Sequence, residues 1–186
     1  MRLFVSVPLH ALAEEVAAAQ DPLDLPGLKL TDPTQAHVTL KFLGEVDESA
    51  LDDLTDAIGR AVESADVAPF DAEVGGYGVF PSLGYISVVW TGFRSGTEQL
   101  TRLHEAIERE TVALGFEPED HSFTPHATLA RMGDARSKDA VREVVEADDP
   151  DVGTFHVDAV ELTESTLTDG GPRYSTVERF GLPTGV

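Results

Sequence analysis

Two nine-residue stretches decide how this chain is read: His37–Glu45, HVTLKFLGE, and His126–Asp134, HATLARMGD. Both run H-x-T-L, both place a glycine seven residues after the histidine, and both follow it with an acid. One H-x-T means nothing, but two copies with the same tail, drawn from only six histidines, are an internal repeat. Side chains at i and i+2 of a strand share a face, so His37 and Thr39 point together, as do His126 and Thr128. Val38 and Leu40, or Ala127 and Leu129, take the opposite face and anchor each strand. Two such strands related by an approximate two-fold axis bring two imidazoles and two hydroxyls to one cleft. An imidazole with an ordinary pKa of about 6.5 serves as acid or base at neutral pH, and displacement at phosphorus needs one of each. The hydroxyls can hold non-bridging phosphate oxygens without adding charge.

Outward from the repeat, the periodicity supplies two lobes. Arg2–Pro8 alternates as a strand, and His10–Gln20 has apolar residues at helical spacing. Residues 21–33 carry three prolines and a glycine and predict a loop with little regular structure. A strand over Ala36–Leu43 ends at Gly44, and a helix over Glu48–Ala65 presents Leu51, Leu54, Ile58, Ala61 and Val62 on one face. Phe70–Phe80 and Tyr85–Thr91 read as a hairpin, followed by a helix over Thr97–Leu114 that stops at Gly115. Phe123–Ala130 predicts a strand with Pro125 at its edge or start, and Ser137 a cap for a short helix to Ala147. Val152–Thr166 and Arg173–Leu182 are the last strands, joined across Asp169-Gly170-Gly171-Pro172. The expected fold is α+β: one bilobal domain over 1–186, with mainly antiparallel sheets in two pseudo-two-fold-related lobes around a central cleft.

Composition bounds the setting. Among 186 residues, 41% are hydrophobic, enough for an ordinary core, and no cysteine is present to form a disulfide or a thiolate site. No apolar run, Ile86–Trp90 included, approaches the roughly 20 residues of a membrane span, and Met1–Leu9 lacks the pattern of a signal peptide. A soluble cytoplasmic monomer is expected. The 34 acids against 13 bases give a net charge of −21, which on its own argues against nucleic acid as a partner. Yet the acids are dispersed rather than gathered in a tail, and only Lys29, Lys41 and Lys138 are lysines. Dispersed acid with scarce lysine fits a protein of molar salt, where the screening length is about 3 Å. On that basis the net charge describes the solvent more than the substrate.

The chain resembles the two-histidine phosphoesterases, and within them the RNA 2′,3′-cyclic phosphodiesterase, or 2′-5′ RNA ligase, family. The resemblance rests on both H-x-T-L motifs, Arg2-Leu3-Phe4-Val5, Gly76-Tyr77-Gly78-Val79-Phe80-Pro81 and Phe123-Thr124-Pro125-His126 through Arg131. Ser165-Thr166-Leu167 and Gly170-Gly171-Pro172-Arg173-Tyr174 extend it over nearly the whole chain. It implies metal-independent opening of an RNA 2′,3′-cyclic phosphate end to a 2′-phosphomonoester, with no cofactor. His37 would be the proton donor to the leaving 3′ oxygen and His126 the proton acceptor from water, while Thr39, Thr128 and Arg131 bind phosphate. Arg131 sits five residues after His126, an odd offset that a regular strand would aim away from it. Phe42, its counterpart in the first copy, either contacts a base or packs, with packing favoured. The segment Asp32-Pro33-Thr34-Gln35-Ala36 lacks the basic and aromatic residues many relatives carry before the first motif.

The remaining candidates read as structural. His10, His104, His121 and His156 lie outside the motifs. Lys41 reads as an exposed strand lysine that shares the His37 face, with the cleft as its alternative position. Asp52-Asp53 and Asp148-Asp149 read as solvated surface, and no H-E-x-x-H or similar spacing predicts zinc. The rival functions are a related two-histidine phosphodiesterase, including reversible 2′-5′ ligation, and a nucleotide- or RNA-binding module without turnover.

Overall fold

Alternating burial along the strands and an apolar stripe along each long helix build two sheets, each covered on one face. A computed structural model of the chain describes residues 1–184. Over these residues run β1 (Arg2–Pro8), α1 (Ala13–Gln20), β2 (Leu28–Leu30), β3 (His37–Glu45), α2 (Leu51–Ala65), β4 (Phe70–Ser82) and β5 (Tyr85–Ser95). They are followed by α3 (Thr97–Ala113), β6 (Ala127–Met132), α4 (Lys138–Ala147), β7 (Asp151–Val157), β8 (Ala159–Thr168) and β9 (Gly171–Gly181). One sheet has the order β3-β1-β8-β9 and the other β2-β6-β5-β4-β7, and every pairing is antiparallel. Helices α2 and α3 pack on each other and reach β3 and β9 of the first sheet, while α1 and α4 lie on the second. Leu54, Ile58, Leu100, Leu103 and Ile107 are fully buried between that helix pair and its sheet.

The bilobal α+β expectation holds, but the lobes exchange segments. The C-terminal β8 and β9 complete the first sheet, and the early α1 and β2 belong to the second. The predicted strand over Val152–Thr166 is therefore two strands. Asp158 separates them, its carbonyl accepting from the Leu182 amide and its carboxylate from Arg179, as the chain passes from β4 to β1. The predicted loop over 21–33 contains β2, whose Leu28 and Leu30 half-bury against the core beside Ala130 and Met132. The second motif strand starts at Ala127, after Pro125, rather than at Phe123. Ser137 occupies the N-cap position of α4 as expected, but its hydroxyl makes no capping bond and donates instead to the Pro26 carbonyl at 2.7 Å.

Candidate active site

The repeated motifs place their side chains by a shared irregularity. Along β1 and β3, Ser6 pairs with Thr39 but Val5 pairs with Lys41, so Leu40 is an extra residue bulged out of the ladder. Along β5 and β6, Trp90 pairs with Thr128 but Val89 pairs with Ala130, so Leu129 is the extra residue there. Each bulge shifts the alternation by one position. Phe42 and Arg131, at the odd offset of five, thus return to the face of Thr39 and Thr128, and both are exposed. Lys41 is turned the other way and is 1% exposed, so it is neither an exposed strand lysine nor a cleft residue. Its ammonium donates to Glu108 at 2.7 Å and to the Glu117 carbonyl at 2.6 Å, and the Glu119 amide donates to the same carboxylate.

Polar side chains from outside the motif strands hold both bulges. The Leu40 carbonyl accepts from His104 Nδ1 at 2.7 Å, and the buried His104 ring stacks on Phe123 with centroids 4.2 Å apart. The Leu129 carbonyl accepts from Gln20 Nε2 at 3.0 Å and from the Thr31 hydroxyl at 3.2 Å.

The two imidazoles are anchored alike. His37 Nδ1 lies 2.9 Å from the Gln35 carbonyl, and His126 Nδ1 lies 2.6 Å from the Thr124 carbonyl, two residues upstream in each case. A carbonyl only accepts, so Nδ1 carries the hydrogen and Nε2 is the atom that titrates. His37 Nε2 has the Thr39 hydroxyl at 3.1 Å. Burial pushes the His37 pKa below the ordinary value; the Gln35 carbonyl opposes this, and the positive charges of His126 and Arg131 add to it. Burial lowers His126 too, against the Thr124 carbonyl and with Arg131 and His121 contributing. Arg131 thus bears on both rings, and a charge on His126 bears on His37.

Aromatic walls fix each ring. Phe4 and Tyr174 flank His37 at 4.9 and 5.2 Å between centroids, and Phe80 and Trp90 flank His126 at 4.9 and 5.7 Å. Gln35 ties Tyr174 to the start of β3, its amide donating to the Pro172 carbonyl and its side-chain oxygen accepting from the Tyr174 amide. Trp90 lies over Gly78, where a Cβ would stand 2.2 Å from the indole ring. Phe4, Phe80 and Tyr174 lie in stretches that carry the family resemblance, but Trp90 has no such signal, and only the register of β1, β4, β5 and β9 brings the four to the histidines. Beside His37 is a small recess of about 70 Å³ lined by Ser6, His10, Glu161 and Thr163 among others. A roomier cavity of about 500 Å³ lies elsewhere, but Glu15, Asp148, Asp149 and Asp151 line it, and carboxylates repel phosphate.

His121 pairs with Asp120 and His156 with Asp71, both at the surface, and His10 bonds the Thr34 carbonyl. No group of three or more histidine, aspartate or glutamate side chains among the described residues is placed to hold a metal ion. No helix among them is long and apolar enough to cross a membrane.

This is a two-lobed α+β phosphoesterase architecture with one H-x-T pair per lobe. A model of the 2′-5′ RNA ligase superfamily matches residues 8–169, and the chain belongs to that family. It is 34% identical over 186 residues to the RNA 2′,3′-cyclic phosphodiesterase of Methanothermobacter thermautotrophicus, covering 98% of this chain and 99% of the relative. The protein of the same name from Aeropyrum pernix is 36% identical over 151 residues, 81% of this chain and 84% of its own length. Among solved structures, a Thermus thermophilus protein aligns with a TM-score of 0.83 at 30% identity over 99% of both chains. Escherichia coli LigT complexed with 3′-AMP shares the fold at a TM-score of 0.79 and 24% identity, over 97% of each chain.

Proposed function

We infer that this chain is an RNA 2′,3′-cyclic phosphodiesterase that opens the terminal ring to a 2′-phosphomonoester by paired histidine catalysis, without a metal. One observation carries the reading. Two imidazoles from matching motifs are each anchored through Nδ1 on a carbonyl two residues upstream, leaving each Nε2 to exchange a proton. His126 Nε2 takes a proton from water as the water oxygen bonds to phosphorus. The bond from phosphorus to the 3′ oxygen breaks, and that oxygen takes the proton held on His37 Nε2. Burial makes protonated His37 a stronger acid, which suits a donor. Thr39 and Thr128 donate to the non-bridging oxygens, Arg131 balances their growing charge, and the exposed face of Phe42 meets the terminal base. A 5′-hydroxyl in place of water would give a 2′-5′ linkage from the same groups.

Both motifs come from one chain, which supports a monomer, and an RNA end as substrate supports a cytoplasmic setting. The dispersed acids support molar salt as the working solvent, so thermal stability should rise steeply toward molar KCl. Equal stability in dilute buffer would overturn that part.

The deciding assay incubates the protein at high salt with an oligonucleotide ending in a 2′,3′-cyclic phosphate and separates products by phosphate position. A 2′-phosphate is expected, with turnover unaffected by EDTA. A predominant 3′-phosphate would reverse the aim of the acid. Activity lost to chelation and restored by Zn²⁺ or Mn²⁺ would remove the metal-free mechanism.

A further inference from the structure

Lys29 on β2 is the direct cross-strand partner of Arg131 on β6, and both are exposed. Residues directly opposite across an antiparallel pair project from the same face, with Cα atoms about 5 Å apart. Leu28 and Leu30 half-bury against the core, so Lys29 faces the other way, into the face that carries Thr128 and Arg131. Like charges directly opposite each other on a sheet are destabilising. That is unexpected in a chain with 34 acids, where Arg60, Arg94, Arg136, Arg142, Arg173 and Arg179 each meet a carboxylate. Of the other lysines, Lys41 is buried against Glu108, and Lys138 donates to the Gly84 carbonyl. Among the described residues neither Lys29 nor Arg131 makes an ion pair. Nearby acids are engaged elsewhere, Asp32 with Thr34 and Arg173 and Asp134 with Arg136. Two adjacent cations, unneutralised on the cleft face of an acidic protein, fit two adjacent anions supplied from outside.

We propose that Lys29 is a second phosphate subsite, holding the phosphodiester on the 5′ side of the terminal nucleotide while Arg131 holds the cyclic phosphate. The substrate is then an oligonucleotide end rather than a mononucleoside cyclic phosphate. This rests on the phosphodiesterase reading above. Lys29 is on the edge strand of its sheet, where a lysine can serve simply to discourage strand pairing, and that role gives no preference between substrates.

The test compares kcat/KM for cytidine 2′,3′-cyclic phosphate with that for the dinucleotide CpC ending in the same ring. A third substrate is the dinucleotide with an uncharged methylphosphonate linkage. Wild-type protein should prefer the charged dinucleotide, and Lys29→Gln should collapse that preference by about tenfold. Lys29→Arg should restore it, and the methylphosphonate should gain nothing from the lysine. The dependence of log KM on log salt for the charged dinucleotide should flatten by about 0.7 in Lys29→Gln. Its melting temperature should hold or rise, because a like-charge pair has been relieved. A preference unchanged by the substitution overturns the subsite while leaving the enzyme reading intact. Failure of wild-type protein to hydrolyse any of the three overturns the enzyme reading itself.

Discussion

Replacing Lys41 with methionine keeps most of the side-chain volume and removes one buried charge. The ammonium now donates to the Glu108 carboxylate at 2.7 Å and to the Glu117 carbonyl at 2.6 Å, from a side chain 1% exposed. Removing one partner of a buried ion pair typically costs about 3–5 kcal/mol. The Glu108 side chain is 21% exposed, so water recovers part of its solvation and the lower end, about 3 kcal/mol, applies. For a chain of this size each kcal/mol lowers the melting temperature by roughly 2–4 °C, which gives a loss of about 6–12 °C at pH 7. The pH dependence carries a definite sign. Burial raises the Glu108 pKa, but the Lys41 hydrogen bond, the Glu119 amide and the Lys41 charge together outweigh it, so the folded value lies below the ordinary one. A depressed carboxyl contributes stability above its unfolded pKa and loses it as pH falls through the folded value. The gap between wild type and Lys41→Met should therefore be widest at neutral pH and narrow below about pH 4. Thermal denaturation at pH 7 and pH 3.5, in the same KCl concentration, measures both. An unchanged melting temperature would refute the buried pair. If KM for RNA rose at the same time, Lys41 would belong to the cleft after all.

His37→Ala and His126→Ala should each lose roughly 10²- to 10⁴-fold in kcat while still folding, a loss read directly by steady-state kinetics. The pH profile of kcat/KM should be bell-shaped and displaced to the acid side of ordinary imidazole behaviour, because burial lowers both rings; a maximum in the alkaline range would contradict that. Gly78→Ala sets a Cβ 2.2 Å from the Trp90 ring, so it should cost about 1–3 kcal/mol of stability by denaturant titration and lower kcat by moving the wall of His126. His104→Ala leaves the Leu40 carbonyl unpaired and Phe123 unstacked, at about 1–3 kcal/mol, and His104→Gln should recover part of it if the lost hydrogen bond is the cause.

The sequence exposes whatever repeats or carries a long period. Two H-x-T-L copies, the stripes of α2 and α3 and the hairpin of β4 and β5 were all legible, because each spans enough residues to show its spacing. What stayed hidden depends on register between distant strands. The bulges at Leu40 and Leu129 follow from how β1 and β5 pair with their neighbours, and they alone decide that Lys41 is buried and Arg131 is not. Strand β2 is three residues long, too short to show a period, and so the pairing of Lys29 with Arg131 could not be read. Nothing in the sequence shows that the His104 ring would reach the Leu40 carbonyl, because that contact joins α3 to a bulge on a distant strand.

The two lobes share a scaffold and differ in the chemistry hung on it. In both, the residue before the bulge is the motif threonine, the next position beyond the bulge turns inward, and the one after that returns to the cleft. The inward residue is lysine in one lobe and alanine in the other, and Ala130 needs no charge partner because it brings no charge. The returning residue is Phe42 on the strand of His37 and Arg131 on the strand of His126. A pseudo-symmetric frame with an aromatic ring at one end and a guanidinium at the other cannot bind a substrate equally in both orientations. Under the proposed roles the base would be drawn to the Phe42 side and the phosphate to the Arg131 side, which would separate a donor histidine from an acceptor histidine of identical type. The backbones around the two histidines are alike, so the difference between acid and base must come from residues that the repeat does not share.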